Sequence, residues 1–121
     1  MQKLAKREEQ IMQALWGLEQ AFIKEITETL PHPKPHYNSV ATMVKVLEEK
    51  GFVGRRSLGN AHQYYPLISR EQYRKQEVGR LLSSYFDNSY KNLVAYFAEE
   101  EELDEEEVQE IIHLIQKGKQ S

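Results

Sequence analysis

The chain contains no cysteine, which removes disulfides, thiolate metal sites and thiol nucleophiles in one step. It also lacks any run near the roughly 18 apolar residues that a membrane span requires. The opening Met1-Gln2-Lys3-Leu4-Ala5-Lys6-Arg7-Glu8 has no apolar stretch of the kind a secretory signal carries, so a cytoplasmic protein is expected. The four histidines, His32, His36, His62 and His113, show no metal-ligand spacing. There is no nucleophile elbow. Asp104, Glu105, Glu106 and Glu107 read as an acidic helix start rather than a carboxylate pair held across a cleft. No enzyme, cofactor or metal is expected.

What remains is a small protein of 121 residues, 40% hydrophobic and 29% charged, suited to one domain or to a small domain with an oligomerising appendage. Its net charge of -3 conceals a division. Residues 1–75 carry 12 Lys/Arg against 8 Asp/Glu, and residues 76–121 carry 4 against 11. The first part can meet a polyanion and the second cannot.

Apolar spacing predicts a first helix from about Lys6 to Leu18, with Leu4, Ile11, Ala14, Leu15 and Leu18 on one side, Trp16 beside them, and Gly17 at the fraying end. A short second helix from about Ile23 to Leu30 buries Ile23, Ile26 and Leu30. It is stopped by a stiff spacer containing Pro31, Pro33 and Pro35. A third helix runs from Tyr37 or Asn38 to Lys50 and closes at Gly51, with Val40, Met43, Val44 and Leu47 inward. Residues 52–58 and 62–67 flank a Gly59-Asn60-Ala61 turn and predict a β-hairpin. Ser69, with Gln72 three residues on, caps a further helix carrying Val78, Leu81, Leu82, Tyr85 and Phe86. Asp87-Asn88-Ser89 breaks that helix. Another carries Tyr90, Leu93, Val94 and Phe97, and a last one, capped by Asp104, carries Val108, Ile111, Ile112 and Ile115.

Three helices followed by a hairpin form a winged helix-turn-helix. The expected fold is mostly α with a small β-hairpin: a winged-helix DNA-binding domain over residues 1–68 and a helical dimerisation region over 69–121. In such a unit the third helix enters the major groove and the wing approaches the backbone. Asn38 and Thr42 suit base edges, and Lys45 suits guanine or a phosphate. His36, Tyr37 and Ser39 suit phosphates near the helix start. Arg55 and Arg56 point to opposite sides of a strand, so one of them contacts DNA. Blander roles stand beside these: Asn38 as a helix cap, Lys45 and the two arginines as solvated surface, His36 and His62 as incidental surface, Tyr64 and Tyr65 as packing.

Helices with a single apolar stripe cannot bury it within so short an appendage, which calls for a second copy. The expected interface comprises Leu82, Phe86, Tyr90, Leu93, Val94, Phe97, Val108, Ile111, Ile112 and Ile115. A two-fold pair would present two reading helices to palindromic operator DNA. Two other readings stay open: a winged-helix adaptor for proteins, and a DNA-binding regulator sensing a small ligand through Tyr85, Tyr90 and Tyr96.

Residues 9–16 (EQIMQALW), 39–53 (SVATMVKVLEEKGFV), 63–65 (QYY) and 93–103 (LVAYFAEEEEL) together resemble the penicillinase repressor family, which includes methicillin-resistance and copper-responsive repressors. The resemblance covers nearly the whole chain and implies a dimeric winged-helix repressor that reads DNA through its third helix. For the antibiotic-responsive members it implies a membrane-bound sensor protease that leads, directly or indirectly, to cleavage of an Asn-Phe bond in the dimerisation region. The matching pair here is Tyr96-Phe97, which keeps the Phe and not the Asn. The cysteine-rich metal tail of the copper-responsive members has no counterpart. An arginine common in the reading helix of the antibiotic-responsive members is matched by Ala41, which implies a different operator or weaker contacts.

Overall fold

The structure is a computed structural model that describes residues 3–100 and 103–120, apart from the side chains of Ile115 and of residues 118–120. The expectation for Ile115 therefore lies outside the described side chains. The elements are α1 (Lys6–Leu18), α2 (Ile23–Thr29), α3 (Tyr37–Glu49), β1 (Val53–Leu58), β2 (Ala61–Pro66), α4 (Arg70–Tyr85), α5 (Tyr90–Glu100) and α6 (Glu105–Gln120). The chain divides into two compact units, residues 1–75 and 76–121, with the division inside α4.

In the first unit, α1, α2 and α3 enclose one core in which Ile11, Met12, Leu15, Ile26, Val40, Val44, Leu47 and Phe52 are fully buried. Met12, about which the apolar spacing made no statement, is also buried. The expectation for Leu18 changes: it is 38% exposed, because the helix ends there and the backbone turns away through Glu19 at φ 70. Gly17 does not mark the end: it is helical, and the positive φ falls on Glu19.

α3 closes as expected at Gly51, whose φ is 84. The Gly51 N–H donates to the Glu48 carbonyl at 3.1 Å and the Phe52 N–H to the Leu47 carbonyl at 3.0 Å. This is a Schellman motif, with buried Phe52 and Leu47 as the apolar pair that accompanies it. The chain leaves directly into β1, which pairs antiparallel with β2 from Val53↔Pro66 to Leu58↔Ala61. Ala61 thus belongs to the strand and not the turn. Ala21 bridges Tyr64 through two backbone hydrogen bonds of 2.9 and 2.8 Å, tying the α1–α2 connection to the base of the hairpin.

Trp16 is half-buried beside the core. Its indole N–H donates to the Ile68 carbonyl at 2.8 Å, and its ring centroid lies 5.6 Å from that of Tyr73. Tyr73 is buried and its hydroxyl donates to the Glu9 carboxylate at 2.7 Å. The start of α4 is thereby part of the first unit. Its cap is the expected one: Ser69 Oγ accepts from the Gln72 N–H at 3.0 Å, and Gln72 Oε1 from the Ser69 N–H at 2.8 Å.

The second unit contains the rest of α4 with α5 and α6. Asp87 and Asn88 both take left-handed backbone, at φ 54 and 60, which is the break expected there. Ser89 then caps α5 through the Asn92 N–H, and Asp104 caps α6 through the Glu107 N–H. No residue of α5 is buried.

Candidate nucleic-acid interface

The helical period divides α3 into two faces. Val40, Val44 and Leu47 have no exposed surface, and Met43 packs against the core. His36, Tyr37, Asn38, Ser39, Thr42 and Lys45 are all exposed on the other side. One continuous polar surface therefore runs from the N-terminus of α3 to its middle.

Two side chains on that surface, His36 and Thr42, make local hydrogen bonds. His36, not Asn38, is the cap: His36 Nδ1 accepts from the Asn38 N–H at 3.1 Å. The cap requires Nδ1 to be unprotonated, so the ring proton sits on Nε2 and is free to donate. Asn38 keeps its amide available, with both carbonyl and NH2 edges. The Thr42 hydroxyl donates its proton to the Asn38 backbone carbonyl at 3.0 Å, a back-bond within the helix that leaves the oxygen able only to accept. Lys45 carries the positive charge of this face, and Glu49 lies exposed one turn further on.

The hairpin also has two sides. Directly opposed residues of an antiparallel pair share a face, so the register places Arg55, Ser57, His62 and Tyr64 on one side and Gly54, Arg56, Gln63 and Tyr65 on the other. Tyr64 is buried in the core. Arg55 Nε lies 3.3 Å from the Glu48 carboxylate of α3, which identifies that side of the hairpin as the one turned toward α3. Ser57 Oγ and His62 Nδ1 are 3.3 Å apart on the same side. The Arg56 guanidinium lies over the Tyr65 ring, 5.3 Å from its centroid.

Behind this surface α3 is anchored to α1. Lys50 Nζ meets both carboxylate oxygens of Glu8, at 3.1 and 2.9 Å, and Glu8 Oε1 also accepts from the Ala5 N–H at 2.9 Å. Burial alone would raise the Glu8 pKa. The Ala5 hydrogen bond and the Lys50 charge outweigh it, and the carboxyl is held below its ordinary value. Sequence reasoning missed this pair, the His36 cap and the Arg55–Glu48 bridge. Only Glu8 left a trace, as an acid three residues after the residue before α1, the second half of a capping box.

In the second unit, Leu82 is buried, Phe86, Leu93, Val94, Val108 and Ile111 are half-buried, and Tyr90, Phe97 and Ile112 are exposed. α5 and α6 line an apolar groove of about 490 Å³ that includes Tyr90, Val94, Val108 and Ile112. A second groove, of about 410 Å³, is lined by Leu81, Tyr85, Phe86, Leu93, Tyr96 and Phe97. The three tyrosines considered for a small ligand are split between them, with Tyr85 and Tyr96 in one and Tyr90 in the other. No described helix is long and apolar enough to cross a membrane.

The sequence model of the family described as "Penicillinase repressor" matches residues 4–117. Methicillin resistance regulatory protein MecI of Staphylococcus aureus strain N315 is 22% identical over 116 residues, spanning 95% of this chain and 94% of that protein. The MecI proteins of Staphylococcus epidermidis and Mammaliicoccus sciuri match to the same extent. Among solved structures, one described as "CopR Repressor Structure" aligns with a TM-score of 0.47 and 23% identity, over 56% of this chain and all of that one. With the family matched across almost its full length, the chain belongs to the penicillinase repressors, and it is a DNA-binding transcriptional repressor and not an enzyme.

Proposed function

We propose that the chain works as a symmetric homodimer that binds a palindromic operator, with α3 in the major groove and the hairpin against the backbone. The observation that carries this reading is the division of α3: its apolar residues are fully buried while His36, Tyr37, Asn38, Ser39, Thr42 and Lys45 are exposed together. Asn38 and the Thr42 methyl read base edges, Lys45 reaches guanine or a phosphate, and the helix N-terminus with His36, Tyr37 and Ser39 holds the backbone. An adaptor for proteins would call for an apolar or acidic surface here, which this polar, Lys45-bearing face does not offer.

The absence of any buried residue on α5 supports the pairing of two chains. An isologous contact through Tyr90, Val94, Phe97, Val108, Ile111 and Ile112 covers that apolar surface and sets two reading helices on one duplex. Regulation follows from the same arrangement. A cut at Tyr96–Phe97, made through a membrane-bound sensor protease, removes α6 and with it the bivalency, which is worth roughly 10²–10⁴ in affinity. The bond lies inside α5, so cleavage requires local unwinding of that helix.

Selection of bound duplexes from a random pool tests the central claim. Enrichment of a palindrome with half-sites about one helical turn, or an integral number of turns, apart supports it, and failure to enrich any sequence refutes it.

A further inference from the structure

The two adjacent wing arginines are held in chemically different ways, and this decides which of them is available to DNA. We propose that Arg56 is the phosphate ligand of the wing, presented by the Tyr65 ring, and that Arg55 is a positioning residue locked to Glu48, which sets the angle of the wing against the reading helix. The inference rests on the operator-binding reading above and assigns the roles within it.

Arg55 has given its charge to a carboxylate. The pair lies 3.3 Å apart, with the Glu48 side chain 28% exposed and the Arg55 side chain 51% exposed. A phosphate that drew Arg55 away from Glu48 would leave that carboxylate without its counter-charge beside the duplex. The bridge joins β1 to the last turn of α3 and so favours one angle of the wing against that helix.

Arg56 is held without such a cost. An aromatic ring attracts a cation through its π face and takes none of its N–H donors, so Arg56 keeps its full charge and its fork of donors for a phosphate. The platform is built into the sheet. A Cβ added at position 54 would lie 2.7 Å from Tyr65 Cζ, so only glycine there lets the ring lie across β1 and beneath Arg56. Placing Arg56 on a ring reduces the rotamer freedom it would otherwise lose on binding.

The test is the salt dependence of binding to a mixed-sequence duplex of about 40 base pairs, ample for two half-sites, followed by fluorescence anisotropy. Each phosphate contact contributes about 0.9 to the slope of log affinity against log salt. Arg56→Ala is expected to lower the slope by about that amount per chain, and Tyr65→Leu by less, while Tyr65→Phe retains it. Arg55→Ala is expected to leave the slope unchanged. Glu48→Gln is expected to steepen it by releasing Arg55, and to do nothing in the Arg55→Ala background, which separates release of Arg55 from a general loss of negative charge. Circular dichroism confirms that each variant is folded. A slope lowered by Arg55→Ala and untouched by Arg56→Ala overturns the assignment while leaving operator binding intact. Wild-type protein that binds no duplex at any salt overturns the operator reading, and this inference with it.

Discussion

Glu8 at the start of α1 and Lys50 at the end of α3 are joined by an ion pair of 2.9 Å across 42 residues of sequence. Because the Glu8 carboxyl is held below its ordinary value, its contribution to stability is fully present above the unfolded glutamate value of roughly 4.3. It is lost as pH falls through the lower folded value. Lys50→Met is expected to destabilise the protein by about 1–3 kcal/mol at neutral pH. It is also expected to flatten the decline in stability below roughly pH 4.3, as read by urea unfolding across a pH series. An unchanged acid limb would show that the pair does not couple to folding.

Lys45 supplies the positive charge on the polar side of α3. Lys45→Ala is expected to weaken operator binding by about 1–3 kcal/mol in a gel-shift assay at fixed salt, with circular dichroism unaltered. Unchanged affinity removes Lys45 from the interface.

Ile112 is exposed on α6, in the groove shared with α5. If the proposed pairing holds, Ile112→Asp is expected to sediment as a monomer where the unaltered chain sediments as a dimer, while the melting of the first unit is preserved. A variant still dimeric at low micromolar concentration would place the interface elsewhere.

Two glycines should respond in opposite directions. At Gly17 the backbone is helical and nothing lies within 4 Å of an added Cβ, so Gly17→Ala is expected to stabilise by roughly 0.5–1 kcal/mol. Gly51 also has open space, but its φ is 84, and Gly51→Ala there is expected to destabilise by about 1–2 kcal/mol. Thermal melts of both variants settle the signs.

If Tyr96–Phe97 is the regulated bond, mass spectrometry of repressor from induced cells will show one fragment ending at Tyr96 and another beginning at Phe97. Intact chain under full induction would dissociate release from cutting.

The elements that the sequence disclosed most fully are those whose signals are local. The Ser69–Gln72 capping box, the left-handed Gly51 and the Asp104 cap are each written in three or four neighbouring residues, and all three stand in the structure. Which side of α3 is exposed was equally legible, because burial of Val40, Val44 and Leu47 fixes which residues face outward. What escaped depends on partners distant in sequence. Lys50 meets a residue of α1, and Arg55 meets one of α3. His36 escaped for another reason. Asn is the stronger capping residue by preference, but α3 starts one residue before Asn38, and the cap falls to the imidazole.

Trp16 is the chain's only tryptophan, and it is pinned to the Ile68 carbonyl and to the Tyr73 ring where α4 is rooted. The molecule thereby carries its own optical gauge. If that root loosens, the indole loses its polar partner and its aromatic neighbour together, and a change in emission colour would signal it with no label attached.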